Sequence, residues 1–84
     1  MTDRAEFSVW QFFEGGRYQP VVRWVDGEAA VIEAMSLARS VAGKVGTIRR
    51  IIITDGGDFT VFEWKFGEGV TYPVDTTAVH PARN

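Results

Sequence analysis

Two short runs of aromatic and β-branched residues, separated by a glycine pair, lie near the start of the chain. EFSVWQFF (6–13) and YQPVVRWV (18–25) have the composition of strands. The intervening EGGR (14–17) predicts a hairpin with a two-residue Gly-Gly loop, because both central residues of a type I′ turn need positive φ. The pattern therefore predicts a first β-hairpin over 6–25.

This loop also predicts how the two strands pair. Val9 faces Val22, and Phe7 faces Trp24, so large apolar side chains gather on one face of the hairpin. Pro20 has no N–H to donate to a further strand. The second strand is therefore predicted at an edge of the sheet.

The next segment has the spacing of an amphipathic helix. Asp26 is a suitable N-cap, and Gly43 is a suitable residue just past the helix end. At about 100° per residue, the apolar arc is rich in alanine, so the helix can approach a sheet closely. Ile32 falls on the polar side and is expected to be exposed. The apolar arc comprises Ala30, Val31, Ala34, Met35, Leu37, Ala38, Val41 and Ala42.

A second hairpin follows, with strands IRRIIITD (48–55) and FTVFEWKF (59–66) on either side of a Gly56–Gly57 loop. In this register Asp55 faces Asp58, and Arg50 faces Glu63 as a solvated cross-strand pair. The face predicted to meet the helix carries Ile51, Ile53, Phe62 and Trp64.

These elements predict an α+β domain: a two-layer ββαββ fold in which a four-stranded, mainly antiparallel sheet packs against one helix. The order 2-1-3-4 makes every neighbouring pair antiparallel, and 2-1-4-3 with a parallel central pair is the alternative. Residues 70–74 are predicted as a short edge strand or as part of an extended tail. The domain is expected over 6–73, between a frayed terminus (1–5) and a flexible tail (74–84).

The composition of the chain excludes more classes of function than its motifs do. With 84 residues the chain holds one core, and a formal net charge of −2 gives no general basic face for nucleic acid. The absence of cysteine excludes disulfides, thiol catalysis and zinc–thiolate sites. Nothing resembles a signal peptide or a membrane span, so no membrane partner is expected and the predicted location is cytoplasmic.

Motifs that could carry chemistry are few. The TDGGD stretch (54–58) could hold a cation between Asp55 and Asp58, but it offers few ligands, and the glycines are explained by a turn. His80 is the only histidine and lies in the predicted tail. We therefore predict no catalytic, cofactor-binding or metal-binding residues, and treat a small enzyme or a cation-binding protein as the second alternative.

The strands carry more apolar surface than one helix can cover. This excess predicts a protein-interaction or self-associating domain, as a homodimer or with a protein partner, with no cofactor. The main alternative is a single-stranded nucleic-acid-binding module that stacks bases on sheet aromatics, with few basic residues to support it. The predicted interface consists of Trp10, Phe12, Val21, Ile32, Ile52 and Val61.

The string IITDGGDFTVFEWKFGEGVTYP, with SVWQFFEGGRY before it, resembles small uncharacterised bacterial proteins of proteobacterial type. The resemblance covers much of residues 7–73. It implies a soluble ββαββ domain with no assigned activity, and it transfers no functional residues to this chain.

Overall fold

A computed structural model of the protein describes residues 5–73. These residues form one five-stranded sheet with the order β2-β1-β3-β4-β5, in which all neighbouring strands are antiparallel. The elements in chain order are β1 (Phe7–Phe13), β2 (Tyr18–Val25), α1 (Gly27–Arg39), α2 (Val41–Val45), β3 (Ile48–Thr54), β4 (Thr60–Lys65) and β5 (Gly69–Tyr72).

The predicted α+β class, the order 2-1-3-4 and the edge position of β2 are confirmed, and the parallel alternative is wrong. Within residues 5–73 two counts differ from the prediction: the sheet has a fifth strand, β5, and there are two helices instead of one. The predicted tail at 74–84 lies outside the described residues, as does nearly all of the predicted frayed terminus.

The core lies between α1 and one face of the sheet. Ala30, Ala34 and Ala38 form the buried side of α1, and these small side chains allow the helix to pack close to the sheet. Ile32 is 61% exposed, as expected from its place on the polar side. The sheet contributes the predicted residues Ile51, Ile53, Phe62 and Trp64, together with Val9 and Ile48.

The helical segment begins where the sequence predicts and breaks earlier. Asp26 is the N-cap of α1, and its Oδ1 accepts a hydrogen bond of 2.7 Å from the backbone N–H of Ala29. The chain then turns extended at Ser40, whose hydroxyl donates to the carbonyl of Leu37 and accepts from the N–H of Gly43. Gly43 is therefore buried inside α2, not placed beyond the helix end, and Val41 is exposed.

Both hairpin loops contain three residues, not two. In each, the last residue before the loop donates its N–H to the carbonyl four positions on: Phe13 to Arg17 at 2.7 Å and Asp55 to Phe59 at 2.9 Å. The loops are therefore 14–16 and 56–58. The extra loop residue changes the strand register in both hairpins.

In the second hairpin the change leaves the faces intact. The longer loop and a bulge next to Thr54 together move the pairing by two positions, so Ile51 lies opposite Trp64 and Ile53 opposite Phe62. A shift of two residues does not exchange the two faces of a strand. The predicted core face survives although the predicted partners do not.

In the first hairpin the three-residue loop moves the pairing next to the turn by one position, so that Tyr18 lies opposite Phe12, and single-residue bulges in β2 change the pairing further along the strands. Val22 still faces Val9, but Phe7 faces Val25 instead of Trp24. Trp24, predicted in the core, is 57% exposed. Val21 packs against the core instead of lying beside Trp10 on the other face.

Candidate functional site

The sheet face that turns away from α1 and α2 is the surface we call the open face. Two cross-strand rows of its side chains begin at β2, since residues paired across neighbouring strands point to the same side. Each row runs from the edge strand β2 across the sheet. The first row is Tyr18, Phe12, Arg50 and Lys65, and the second is Pro20, Trp10, Ile52, Glu63 and Tyr72.

Three aromatic rings form a cluster at the β2 end of the open face. The Tyr18 ring lies 5.2 Å from the Phe12 ring in a stacked arrangement and 6.1 Å from the Trp10 ring. The Trp10 indole Nε1–H donates a hydrogen bond of 3.0 Å to the Thr54 hydroxyl, which fixes the orientation of the indole. Tyr18 remains 61% exposed, so the cluster presents apolar surface to solvent.

Arg23 lies over this cluster because β2 bulges beside it. Between the pairs Phe7–Val25 and Val9–Val22, two residues of β2 oppose one residue of β1. Trp24 takes a left-handed φ of 60° in this bulge, a conformation that is uncommon for a bulky residue. As a result, the Arg23 guanidinium carbon lies 5.1 Å from the centroids of both the Trp10 ring and the Trp24 ring.

A polar network covers the middle of the open face. The Arg50 Nε–H donates to one carboxylate oxygen of Glu63, and the Thr71 hydroxyl donates to the other at 2.9 Å. The Arg50 guanidinium also lies 4.9 Å from the centroid of the Phe12 ring. The predicted Arg50–Glu63 ion pair therefore forms, but across a diagonal, because Glu63 lies directly opposite Ile52.

The pKa of Glu63 reflects two opposing effects. Partial burial of the carboxyl raises its pKa, while the hydrogen bonds from Thr71 and Arg50 and the positive charges of Arg50 and Lys65 lower it. The lowering effects prevail, so the pKa of Glu63 lies below its usual value of 4.5. The network therefore stabilises the fold with Glu63 ionised.

We expect Glu63→Gln to lower the free energy of unfolding by about 1 kcal/mol at pH 7, a value discounted for the exposure of Arg50. Because the folded pKa is depressed, the contribution is complete above the unfolded pKa and is lost as pH falls through the folded pKa. Urea unfolding at a series of pH values should show the difference between wild type and variant shrinking below about pH 4.5. A difference that stays constant down to pH 2 would contradict this assignment.

The six predicted interface residues do not share one surface. Trp10, Phe12 and Ile52 lie on the open face, where Ile52 is already buried beneath its neighbours. Ile32 is exposed on α1, and Val21 packs against the core. Val61 is the extra residue of the bulge in β4 and lines a pocket on the helix side of the sheet. Sequence reasoning missed Tyr18 because the three-residue loop places it opposite Phe12, and it missed Arg23 and Trp24 because no pattern in the sequence signals the β2 bulge.

The TDGGD stretch is a turn held by its own first aspartate. Asp55 Oδ1 accepts hydrogen bonds from the N–H groups of Gly57 at 2.9 Å and Phe59 at 3.0 Å. Asp58 does not face Asp55: it is the third loop residue and has a left-handed φ of 67°. Within residues 5–73, no three acidic or histidine side chains come close enough together to hold a metal ion.

The helix side of the sheet has an apolar pocket of about 570 Å³. It opens between the first half of α1 and the β4–β5 end of the sheet. Because its lining is apolar, it presents no side chain for acid–base or nucleophilic chemistry. The lining residues are Phe7, Gly27, Val31, Ile53, Val61, Phe62, Val70 and Pro73.

Comparison of the chain with protein-family models, curated proteins and solved structures gives no match. The resemblance drawn from the two hairpins therefore stays a prediction. Neither α1 nor α2 is long and apolar enough to cross a bilayer. A proposal about function therefore rests on the surfaces of the molecule. Among these, the open face combines an aromatic cluster, a stacked arginine and a polar network.

Proposed function

We propose that this protein is a small non-enzymatic interaction domain that binds a protein partner on its open face. The observation that carries the proposal is the cluster of Trp10, Phe12 and Tyr18 on a sheet face that neither helix covers. Tryptophan, tyrosine and arginine dominate the energetics of protein interfaces. On the open face these three residue types occur together, with Arg23 lying over Trp10.

Contacts within the protein already position the Trp10 ring of this cluster. The Trp10 indole is held by its hydrogen bond to Thr54, and its surface is in contact with Arg23 and Tyr18. Side chains that are already ordered lose less conformational entropy on binding. Preorganised aromatic rings at the centre of a polar surround are typical of residues that contribute most of the affinity in an interface.

The partner that this face favours is a different protein, not a second copy of the chain. A symmetric dimer places the same patch against itself. Arg23, Arg50 and Lys65 of one copy would then lie against those of the other, with Glu63 as the acidic residue in the two rows. Opposed like charges disfavour such an interface. Self-association through the open face is accordingly the weaker form of the proposal.

Single-stranded nucleic acid is the second candidate, and one observation favours it: arginines lie over the rings of Trp10 and Phe12, which suits the stacking of bases. Against it, Arg50 is already paired with Glu63, and the chain has a net charge of −2. This candidate predicts binding to oligothymidylate that weakens steeply with salt and is lost in Trp10→Ala.

Selection of random linear peptides on the immobilised protein tests the proposal. We expect wild type to enrich binders, and Tyr18→Ala to weaken the binding of those peptides about tenfold, the loss typical of an exposed aromatic residue at the centre of an interface. Val41→Ala is the matched control, since Val41 is 77% exposed on α2, away from the open face. Equal binding to wild type and Tyr18→Ala would contradict the proposed surface.

A further inference from the structure

We infer that Arg23 is a receptor for a carboxylate, and that the partner of the open face is an acidic segment in which aspartate or glutamate adjoins an apolar or aromatic residue. The inference rests on the proposed function and adds the chemistry of the partner. It begins from the position of the Arg23 guanidinium, whose central carbon lies 5.1 Å from both the Trp10 and Trp24 ring centroids.

Stacking on two indoles orders this guanidinium without using its hydrogen-bond donors. An arginine presents five N–H donors in a planar fork that matches a carboxylate. Among residues 5–73, no carboxylate forms an ion pair with Arg23, in contrast to Arg50, whose fork is engaged by Glu63. The Arg23 guanidinium is thus held at the surface, where its N–H groups can donate hydrogen bonds to a carboxylate of a partner.

The backbone contributes to this arrangement at a cost. Trp24 reaches the guanidinium because it adopts a φ of 60° in the β2 bulge, a backbone conformation that is unfavourable for a non-glycine residue. Such strain persists where the surrounding structure holds it, and it is concentrated at binding sites. Here its visible effect is to place a second indole against Arg23.

Charge complementarity indicates that the partner segment is negatively charged. The open face carries the cations Arg23, Arg50 and Lys65 in a chain whose net charge is −2. Its acidic residue, Glu63, is neutralised by Arg50 and hydrogen-bonded to Thr71. The face is therefore locally positive beside an aromatic cluster. An acidic segment with an adjacent ring or aliphatic side chain complements both features, and its like-charged repulsion from the rest of the protein directs it to this face.

Two displayed libraries of random peptides test the inference, the second library having asparagine and glutamine in place of aspartate and glutamate. We expect wild type to recover binders at least about tenfold more efficiently from the acid-containing library, the difference made by one bidentate charge-assisted pair. Arg23→Gln should abolish this preference. Arg23→Lys, which keeps the charge and loses the planar fork, should reduce it. Arg39→Gln, a charge-matched control on α1, should leave it unchanged.

The outcomes separate the inference from the proposed function. Equal recovery from the two libraries, or an acid preference that persists in Arg23→Gln, would contradict the assignment of Arg23 as a carboxylate receptor. Neither result would contradict the proposal that the open face binds a protein partner. No binders from either library would contradict the proposed function itself. Tight, salt-sensitive binding of oligothymidylate that Arg23→Gln removes would overturn the acidic segment in favour of nucleic acid. Circular dichroism of Arg23→Lys, which retains the aliphatic stem, verifies that the fold is intact.

Discussion

Replacing Gly43 with alanine is expected to lower the free energy of unfolding by about 2–3 kcal/mol, because the added methyl group has no space. An ideal Cβ at this position lies 2.4 Å from the carbonyl oxygen of Leu37 and 2.5 Å from that of Ala38. Both contacts are with backbone at the end of α1, which cannot move aside as a flexible side chain can. Accommodation requires α2 to shift away from α1, disturbing the Ser40 hydroxyl that joins the two helices.

Thermal unfolding followed by circular dichroism measures this effect. For a domain of this size the expected loss corresponds to a fall in Tm of about 10–20 °C. Gly57→Ala is the matched control, since its Cβ would approach only side-chain atoms, those of the exposed Phe59 at 3.3 Å and the Asp55 Oδ1 at 3.6 Å. We expect Gly57→Ala to change stability by less than about 1 kcal/mol. A Gly43→Ala variant as stable as Gly57→Ala would show that α2 does not pack on α1 as described.

Ile51→Ala is expected to lower the free energy of unfolding by about 2–5 kcal/mol, the range for removing a fully buried aliphatic side chain. Ile51 has no exposed surface, and it lies in the central strand β3 between Gln11 of β1 and Trp64 of β4. The cavity would open beneath the alanine face of α1, where the small side chains cannot extend to fill it. In a domain whose total stability is about 5–15 kcal/mol, this is a large fraction.

Ile32→Ala is the control for Ile51→Ala, because it removes the same atoms from a side chain that is 61% exposed. Alanine also has the higher helix propensity, so we expect a change within about 0.5 kcal/mol. Urea unfolding of the two variants makes the comparison. Similar urea midpoints for Ile51→Ala and Ile32→Ala would contradict the position of the core between α1 and this face of the sheet.

The sequence allowed the layers of the fold to be predicted, because alternation along a strand is insensitive to even shifts of register. The second hairpin pairs two positions away from the prediction, yet Ile51, Ile53, Phe62 and Trp64 still point to the core. What the pattern could not supply was the loop length. A Gly-Gly pair fits a two-residue loop, but the Asp55 side chain holds a three-residue turn through two backbone N–H groups.

Single-residue bulges had the opposite effect. One extra residue moves a side chain to the other face, which is why Val21 packs against the core and why Trp24 is exposed. The position of a bulge depends on contacts across the sheet and not on a local pattern. Helical periodicity likewise continues through Ser40, so the sequence pattern does not predict a break there. The break is stabilised by the Ser40 hydroxyl, which is hydrogen-bonded to the backbone of both helices.

The candidate site was predictable to the same extent as the faces. Trp10 and Phe12 were placed on the open face by alternation alone, and the structure brings them together with Tyr18. Arg23 and Trp24 join the site only through the β2 bulge, so sequence reasoning could identify apolar surface there but not the stacked arginine. The stacked arginine turns an apolar patch into a surface with a defined preference for charge.

The most direct test of the interaction face is a nuclear magnetic resonance footprint of a selected acidic peptide on the labelled protein. The Trp10 indole Nε1–H is a well-placed probe, since it is hydrogen-bonded to Thr54 at the centre of the proposed surface. We predict saturable shifts of that resonance, of the Arg23 side chain and of the Tyr18 amide. Shifts confined instead to the pocket on the helix side, at Val31, Val61 and Val70, would contradict the account.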